Sequence, residues 1–499
     1  MRLLAALALG AMLALASLVS GCYSMRPSQG GGQTAFSPPR RLDARDVAVP
    51  AGYRVELVAS GLTFPTGVAF DPQGTPYVTE SGYSYGEAFT TPRLLRVGPG
   101  GQLAAIATGH GDGPWNGVTY ADGAFYVAAG GELRGGRILR ITPDGHARAI
   151  TPTLPSMGDH HVDGPLADGR GNLYFTVGTA TNSGVVGPDN AQFGWLRRHP
   201  DFHDVPPRDV VLKGQNFTSE NPLRPGEQAI TGAYLPFGTP SSPGQTIRGR
   251  IPAGGALYRI PVGGGRLELV AWGFRNPYGL ALSPRGQLYV TVNGYDDRGS
   301  RPIFGAGDCL YAVRTGLWYG WPDFSGGKPV TLPGFKAPGK AQPQFLLARH
   351  PNPPPAPAAE FGVHSSACGL DFSRSPRFGH VGDTFVAEFG DQAPTVGKVL
   401  SPVGFRVVRV EAGTGAIHDF AFNRGKVTGP ASKIGGGGFE WPLAVRFSPS
   451  GDALYVVDFG VMTMSQKGPA PRPGTGALWR IVRAGALASN PPPSSVASR

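Results

Sequence analysis

The chain has 499 residues, 45 lysines and arginines against 34 aspartates and glutamates, and a formal net charge of +11. Its 77 glycines and 50 prolines, with only 16% charged residues, exclude a mainly helical protein, because both residues break helices and punctuate strands. The basic excess is scattered and no basic run alternates with aromatics, which excludes a nucleic-acid groove and leaves a bias toward anionic ligands or lipid head groups.

Taken from the N-terminus, Met1 and Arg2 precede the apolar stretch "LLAALALGAMLALASLV", and "VSGC" ending at Cys22 has the form of a bacterial lipobox. Residues 1–21 are therefore predicted to be a lipoprotein signal peptide. Cys22 becomes the lipidated first residue, holding the protein to a membrane of the bacterial cell envelope, in the periplasm or at the surface. Residues 22–48 have no hydrophobic periodicity and are predicted to be a flexible tether. After Cys22 only Cys309 and Cys368 remain. They lack the spacing of a zinc or haem site, and in an oxidising compartment such a pair invites a disulfide.

From residue 49 one unit recurs: a short strand holding a Gly, a turn at Pro, Asp or Gly, then an aromatic-Val strand. It reads "PTGVAFDPQGTPYVTE" at Pro65, "WNGVTYADGAFYVAA" at Trp115, "VDGPLADGRGNLYFTV" at Val162, "PYGLALSPRGQLYVTV" at Pro277, "SACGLDFSRSPRFGHVGDTFVAE" at Ser366 and "PLAVRFSPSGDALYVVD" at Pro442. Further strand-like runs such as "RLLRV", "RILRI", "ALYRI" and "ALWRI" follow the copies. Four strands repeated six times predict an all-β, six-bladed β-propeller over residues 49–484. "YRVELVASG", ahead of the first copy, would complete the last blade beside "ALWRI". Wide spacing of the copies puts long loop insertions in blades three and four, the first at roughly 183–252 and the second including "PNPPPAPAAEFG". Residues 485–499 are predicted to be a disordered tail.

In an antiparallel blade the start of strand one and the end of strand two share a face. Three residues before each repeat glycine, or its Ala444 equivalent, stand Phe64, Pro114, His161, Asn276, Ser366 and Trp441. One position earlier stand Thr63, Gly113, His160, Arg275, Ser365 and Glu440. Repeat symmetry should gather these around one central mouth. A neutral imidazole beside a guanidinium there makes a base and an electrostatic stabiliser. Glu80, Glu388 and Asp458 end second strands on the same face, where carboxylates either bind a hard cation such as Ca²⁺ or cap neighbouring loops.

Over residues 53–482 the chain resembles the pyrroloquinoline quinone (PQQ)-dependent sugar dehydrogenases of the soluble glucose, aldose and sorbosone dehydrogenase type. The resemblance is carried by "HVDGPLADGRGNLYFTVG", "GFRNPYGLALSPRGQLYVTVNG" and "YGWPDF". It implies oxidation of an aldose or related sugar by hydride transfer to Ca²⁺-bound PQQ. His161 would be the base, Arg275 would stabilise the reducing cofactor with Asn276 beside it, the carbonyls of Gly294 and Tyr295 would hold Ca²⁺, and Asp308 would support their loop.

The chain departs from the family at "VAEFGDQ" and "GFEWPLAV", where Glu388 and Glu440 stand near positions the family fills with cations for the cofactor's carboxylates. Arg298, Arg301, Lys398 and Arg424 are the possible replacements. The competing readings are a Ca²⁺-dependent lactonase-like hydrolase using Glu80, Glu388 or Asp458, and a non-catalytic propeller that binds carbohydrate or protein. The sequence specifies neither the sugar nor the electron acceptor.

Overall fold

Six antiparallel sheets radiate from one axis in the computed structural model, which describes residues 25–84, 88–131, 135–192 and 194–485. Blade one holds Pro65–Phe70, Pro76–Glu80, Arg93–Val97 and Leu103–Thr108, in that order from the axis outward. Blade two begins at Trp115–Ala121, blade three at Val162–Ala167, blade four at Asn276–Leu282, blade five at Ala367–Phe372 and blade six at Pro442–Phe447. Blade six is closed by the N-terminal strand Tyr53–Leu62, which pairs along Gly476–Arg483 with Tyr53 opposite Arg483. This joins the two ends of the ring in one sheet, so the closure expected from the sequence is made. Lipidation at Cys22, the signal peptide and all but the first residue of the predicted tail lie outside the described residues.

Alternating strand residues face neighbouring sheets, so the core lies between blades rather than at a single centre. Phe125, Val127 and Ile141 pack with Leu94 between blades one and two, and Phe385 and Phe420 pack with Trp479 and Leu454 between blades five and six. The repeat glycines sit where the innermost strands crowd the axis. A Cβ on Gly67 would come within 2.7 Å of Gly117 Cα, and one on Gly369 within 2.7 Å of Ala444 Cα. Side chains there would push the blades apart, which explains the glycine at the centre of the unit. Between strands two and three of blade three the chain forms the hairpin Asn216–Glu220 with Gln228–Gly232 and the short helix Trp195–Arg198. Val210, Leu212 and Tyr234 of this stretch join the hydrophobic cluster containing Trp318 and Trp321.

Two expectations are corrected. Residues 25–48 do not form a free tether but are built into the propeller. Gly31 N donates to both Asp391 carboxylate oxygens at 3.2 Å, Gly30–Gly32 are buried, and Val47–Ala48 adds a fifth strand to blade five. Arg40 is buried in an ion pair with Asp458 and also donates to Gly438 O at 2.8 Å. The low hydrophobicity that reads as a tether marks instead a chain that docks through backbone bonds and one arginine. The second correction is the disulfide: Cys309 and Cys368 are free thiols, both buried. Cys309 packs with Phe274 and Tyr311 between blades three and four, whereas Cys368 packs with Phe389 and Trp441 at the mouth. Their side chains serve different clusters, and burial raises both thiol pKa values, that of Cys309 to about 12.

Candidate functional site

Strand one of each blade begins at the mouth, and the residues expected there converge. Pro114, His161, Asn276 and Ser366 line one cavity of about 100 Å³. A second, of about 110 Å³, adjoins it and is lined by Asp159, Trp195, Arg275, Asp296 and Arg298 among others. His160, Asn276, Asn293, Ser366 and Gln392 belong to both. They form the wall between two compartments of one site. Phe64 and Trp441, the remaining members of the expected ring, lie in an apolar cluster with Phe389, Leu443, Phe459 and Met462 beside the first compartment.

Both histidines are buried and neutral. Burial, followed by the charge of Arg275, holds His160 well below the usual imidazole range, and burial pushes His161 down to about 4. His160 Nδ1 lies 2.8 Å from the Thr179 carbonyl, which can only accept, so Nδ1 carries the proton and Nε2 the lone pair. His161 lines only the apolar-walled compartment, where its ring stands edge-on to Tyr83 at 6.1 Å.

The second compartment is built around two guanidiniums. Arg275 donates from Nη2 to Asp296 at 2.6 Å and from Nε to the backbone and side-chain oxygens of Asn182 at 3.1 Å. Arg298 is held by three carboxylates, Asp159 at 2.7 Å, Asp189 at 2.8 Å and Asp296 at 3.1 Å. Burial raises Asp189 to about 6 against the pull of Arg298. Burial also raises Asp296, but Arg275, Arg298 and His364 together outweigh it and leave a lowered pKa. Two cations thus face three carboxylates. The arginines are ordered but not free to neutralise an anionic ligand.

Asn276 Nδ2 donates to Asn293 Oδ1 at 2.8 Å, while its own buried Oδ1 has no partner among the described residues. Asp308 fastens the adjoining loop: one oxygen accepts Gly294 N at 2.7 Å, the other Ser365 Oγ at 3.0 Å and Ala367 N at 2.8 Å. The Tyr295 ring leaves the site, its hydroxyl donating to Phe324 O at 3.1 Å.

The carboxylates considered as cation ligands are engaged elsewhere. Glu80 accepts from Thr63 N at 2.7 Å and from Arg93, Glu388 pairs with Arg406 at 2.7 Å, and Asp458 accepts Trp441 N at 2.9 Å beside its pair with Arg40. They cap loops and bind arginines. Among the described residues no group of three or more His, Cys, Asp or Glu side chains is placed to hold a metal ion. A cation here would rest on backbone carbonyls such as those of Gly294 and Tyr295.

Sequence reasoning finds His160, His161, Arg275 and Asn276 because they occupy fixed positions of the repeat. It misses Asp159, Asn182, Asp189, Trp195 and Asp296, which stand outside the repeat frame; the acidic pair after Tyr295 in "GYDDR" is the one signal for them.

No protein-family model matches the chain, and no curated protein does. Solved structures do. The soluble aldose sugar dehydrogenase of Escherichia coli in its apo form is 16% identical with a TM-score of 0.51, over 87% of this chain and 100% of that one. The holo form of the pyranose dehydrogenase PQQ domain from Coprinopsis cinerea is 15% identical with a TM-score of 0.52, over 90% and 98%. A calcium structure of a Trichoderma reesei carbohydrate-active enzyme of family AA12 is 14% identical with a TM-score of 0.52, over 90% and 100%. The fold is thus that of the PQQ-dependent sugar dehydrogenase propellers, and at these identities the likeness speaks for the fold alone.

Proposed function

We propose that the chain is a sugar oxidoreductase of the dehydrogenase type, binding an aldose or related sugar at the central mouth. The observation that carries this reading is the position of His160: a buried, neutral imidazole with a fixed tautomer, in the wall shared by a polar and an apolar compartment. The polar compartment suits sugar hydroxyls, with ordered arginine and carboxylate donors and acceptors and an aromatic residue, Trp195, in its lining. Nε2 of His160 is the base for a hydroxyl proton, and Asn276, with its unpaired Oδ1, stands in the same wall. His161, which the resemblance makes the base, has the second place here because it lines only the apolar compartment.

The neighbours include a PQQ-holding domain and a calcium structure, so both groups were weighed against the mouth. The Asp308-braced Gly294 loop suits a hard cation held by carbonyls. The walls do not suit PQQ as a tricarboxylate. Of Arg298, Arg301, Lys398 and Arg424, only Arg298 lines either compartment, and it is already bound by three carboxylates. Arg301 is buried against Asp323 at 3.2 Å, and Arg424 donates to Arg45 O. Where cations would be needed the chain presents Phe389, Leu443, Phe459 and Met462. Three carboxylates against that wall would lose hydration without gaining partners. An uncharged two-electron acceptor matches it: the sugar hydroxyl proton goes to the imidazole and the carbon-bound hydrogen leaves as hydride to that acceptor.

The apolar wall also favours a second reading, a propeller that binds carbohydrate without oxidising it. Calorimetric titration with a panel of aldoses, alongside dye reduction with uncharged quinones and with PQQ plus Ca²⁺, separates the two. Sugar binding with turnover supports the dehydrogenase, sugar binding without turnover supports the second reading, and no sugar binding defeats both.

A further inference from the structure

Around the ring the rim of the mouth is not uniform. On blades five and six it is made by residues 25–42, 389–405, 424–441 and 459–475, which touch one another. Gln29 N donates to Val399 O at 2.9 Å, Lys433 Nζ to Gly30 O at 3.0 Å, and Met464 N to Gly32 O at 2.7 Å. In these four segments the carboxylates are Asp391 and Glu440, 0% and 1% exposed. Arg26, Arg424, Lys426, Lys467 and Arg472 are all exposed. Between them stand large apolar side chains in water, Met25 at 81%, Val427 at 59% and Leu400 at 38% exposure.

We propose that this rim is a membrane-docking surface, and that the blade-five and blade-six side of the mouth lies against an anionic lipid surface. Exposed cations in excess of the surface acids beside them, Asp43 and Asp46, which are already paired with Arg41 and Arg45, and interspersed with apolar side chains, match anionic head groups over an acyl boundary. The chain beyond the described residues points the same way. Cys22, in its lipobox, precedes Gln29 by seven residues, and an extended chain covers at most about 3.5 Å per residue, so a lipid on Cys22 could sit no farther than about 25 Å from the rim. The docked N-terminal segment therefore fixes which face meets the membrane, and the mouth opens alongside the bilayer.

The test uses the chain from residue 22 onward, carrying Cys22→Ala, so that the rim is measured with neither the apolar leader nor a lipid anchor. The probes are vesicles of phosphatidylcholine with and without phosphatidylglycerol. The expected result is binding at least about tenfold tighter to the anionic vesicles, lost about tenfold in Lys426→Glu/Lys467→Glu. Arg170→Glu/Arg285→Glu makes the same change in net charge at exposed turns between strands one and two, on the opposite face, and should alter binding less than about twofold. A thermal midpoint for each double variant confirms folding. Equal loss in the two double variants would reduce the effect to net charge and overturn the proposal. No preference for anionic vesicles would also overturn it, leaving the rim to an acidic macromolecule. Neither result bears on sugar binding at the mouth.

Discussion

Replacing Arg40 by alanine tests whether the N-terminal segment is part of the folded propeller. The guanidinium is 4% exposed, pairs with Asp458 and donates to Gly438 O and Thr475 O. Glu440 stands 4.0 Å away. Burial raises Glu440 to about 7, with Arg40 its strongest opposing influence. Arg40→Ala would leave Asp458, 0% exposed, as an uncompensated buried charge, and removing one partner of such a pair costs about 3–5 kcal/mol. A unit of this size has an unfolding entropy of about 0.9 kcal/mol/K, so the thermal midpoint should fall by about 3–5 °C. Arg41, the next residue, is 59% exposed and bridged only to Asp43 and Asp46 at the surface. Arg41→Ala should shift the midpoint by less than about 1 °C. Differential scanning calorimetry of the two variants decides the matter. Equal midpoints would refute the docked arrangement and restore residues 25–48 to a tether.

His160→Gln should lower sugar turnover by about 10²-fold or more while sugar binding changes little, whereas His161→Gln should cost less than about tenfold; steady-state kinetics with an uncharged acceptor gives the comparison. Stability should also report His161. Its folded pKa of about 4 lies below the ordinary 6.5, so the unfolded chain takes up a proton first, and stability present above pH 6.5 is lost as pH falls toward 4. The loss is about 3 kcal/mol, and urea unfolding of His161→Asn across that range should lack it. Thiol titration of unfolded, unreduced Cys22→Ala protein should find both remaining cysteines reactive, and none if the disulfide exists.

The six-bladed architecture is legible in the sequence because each blade repeats the same local demands: a glycine where inner strands crowd the axis, a tight turn, and alternating apolar residues facing the next sheet. Register then brings His160, His161, Arg275 and Asn276 together from blades three and four, although their local sequences give no hint of contact. What the repeat does not encode is not legible. Asp159, Asp189 and Asp296 meet at Arg298 through loops whose paths follow from long-range packing. The roles of the two histidines cannot be ranked from "GDHH", because the difference lies in the Thr179 carbonyl at His160 Nδ1 and in which compartments each ring reaches. The docking of residues 25–48 is hidden in the sequence for a related reason. Gly30–Gly32 fit against Asp391, Phe405 and Trp441 because they lack side chains, and a glycine run looks the same in sequence whether it is loose or wedged.

On the proposed reading, the mouth accepts an uncharged sugar and an uncharged acceptor while refusing a tricarboxylate. Calorimetry on the purified chain, titrating an aldose alone and then PQQ with Ca²⁺, addresses it directly. Heat of binding is expected from the sugar and should be lost in Asn276→Ala, with no saturable binding of PQQ at micromolar concentration. Tight, Ca²⁺-dependent PQQ binding would contradict the charge argument, and absence of sugar binding would remove the functional site.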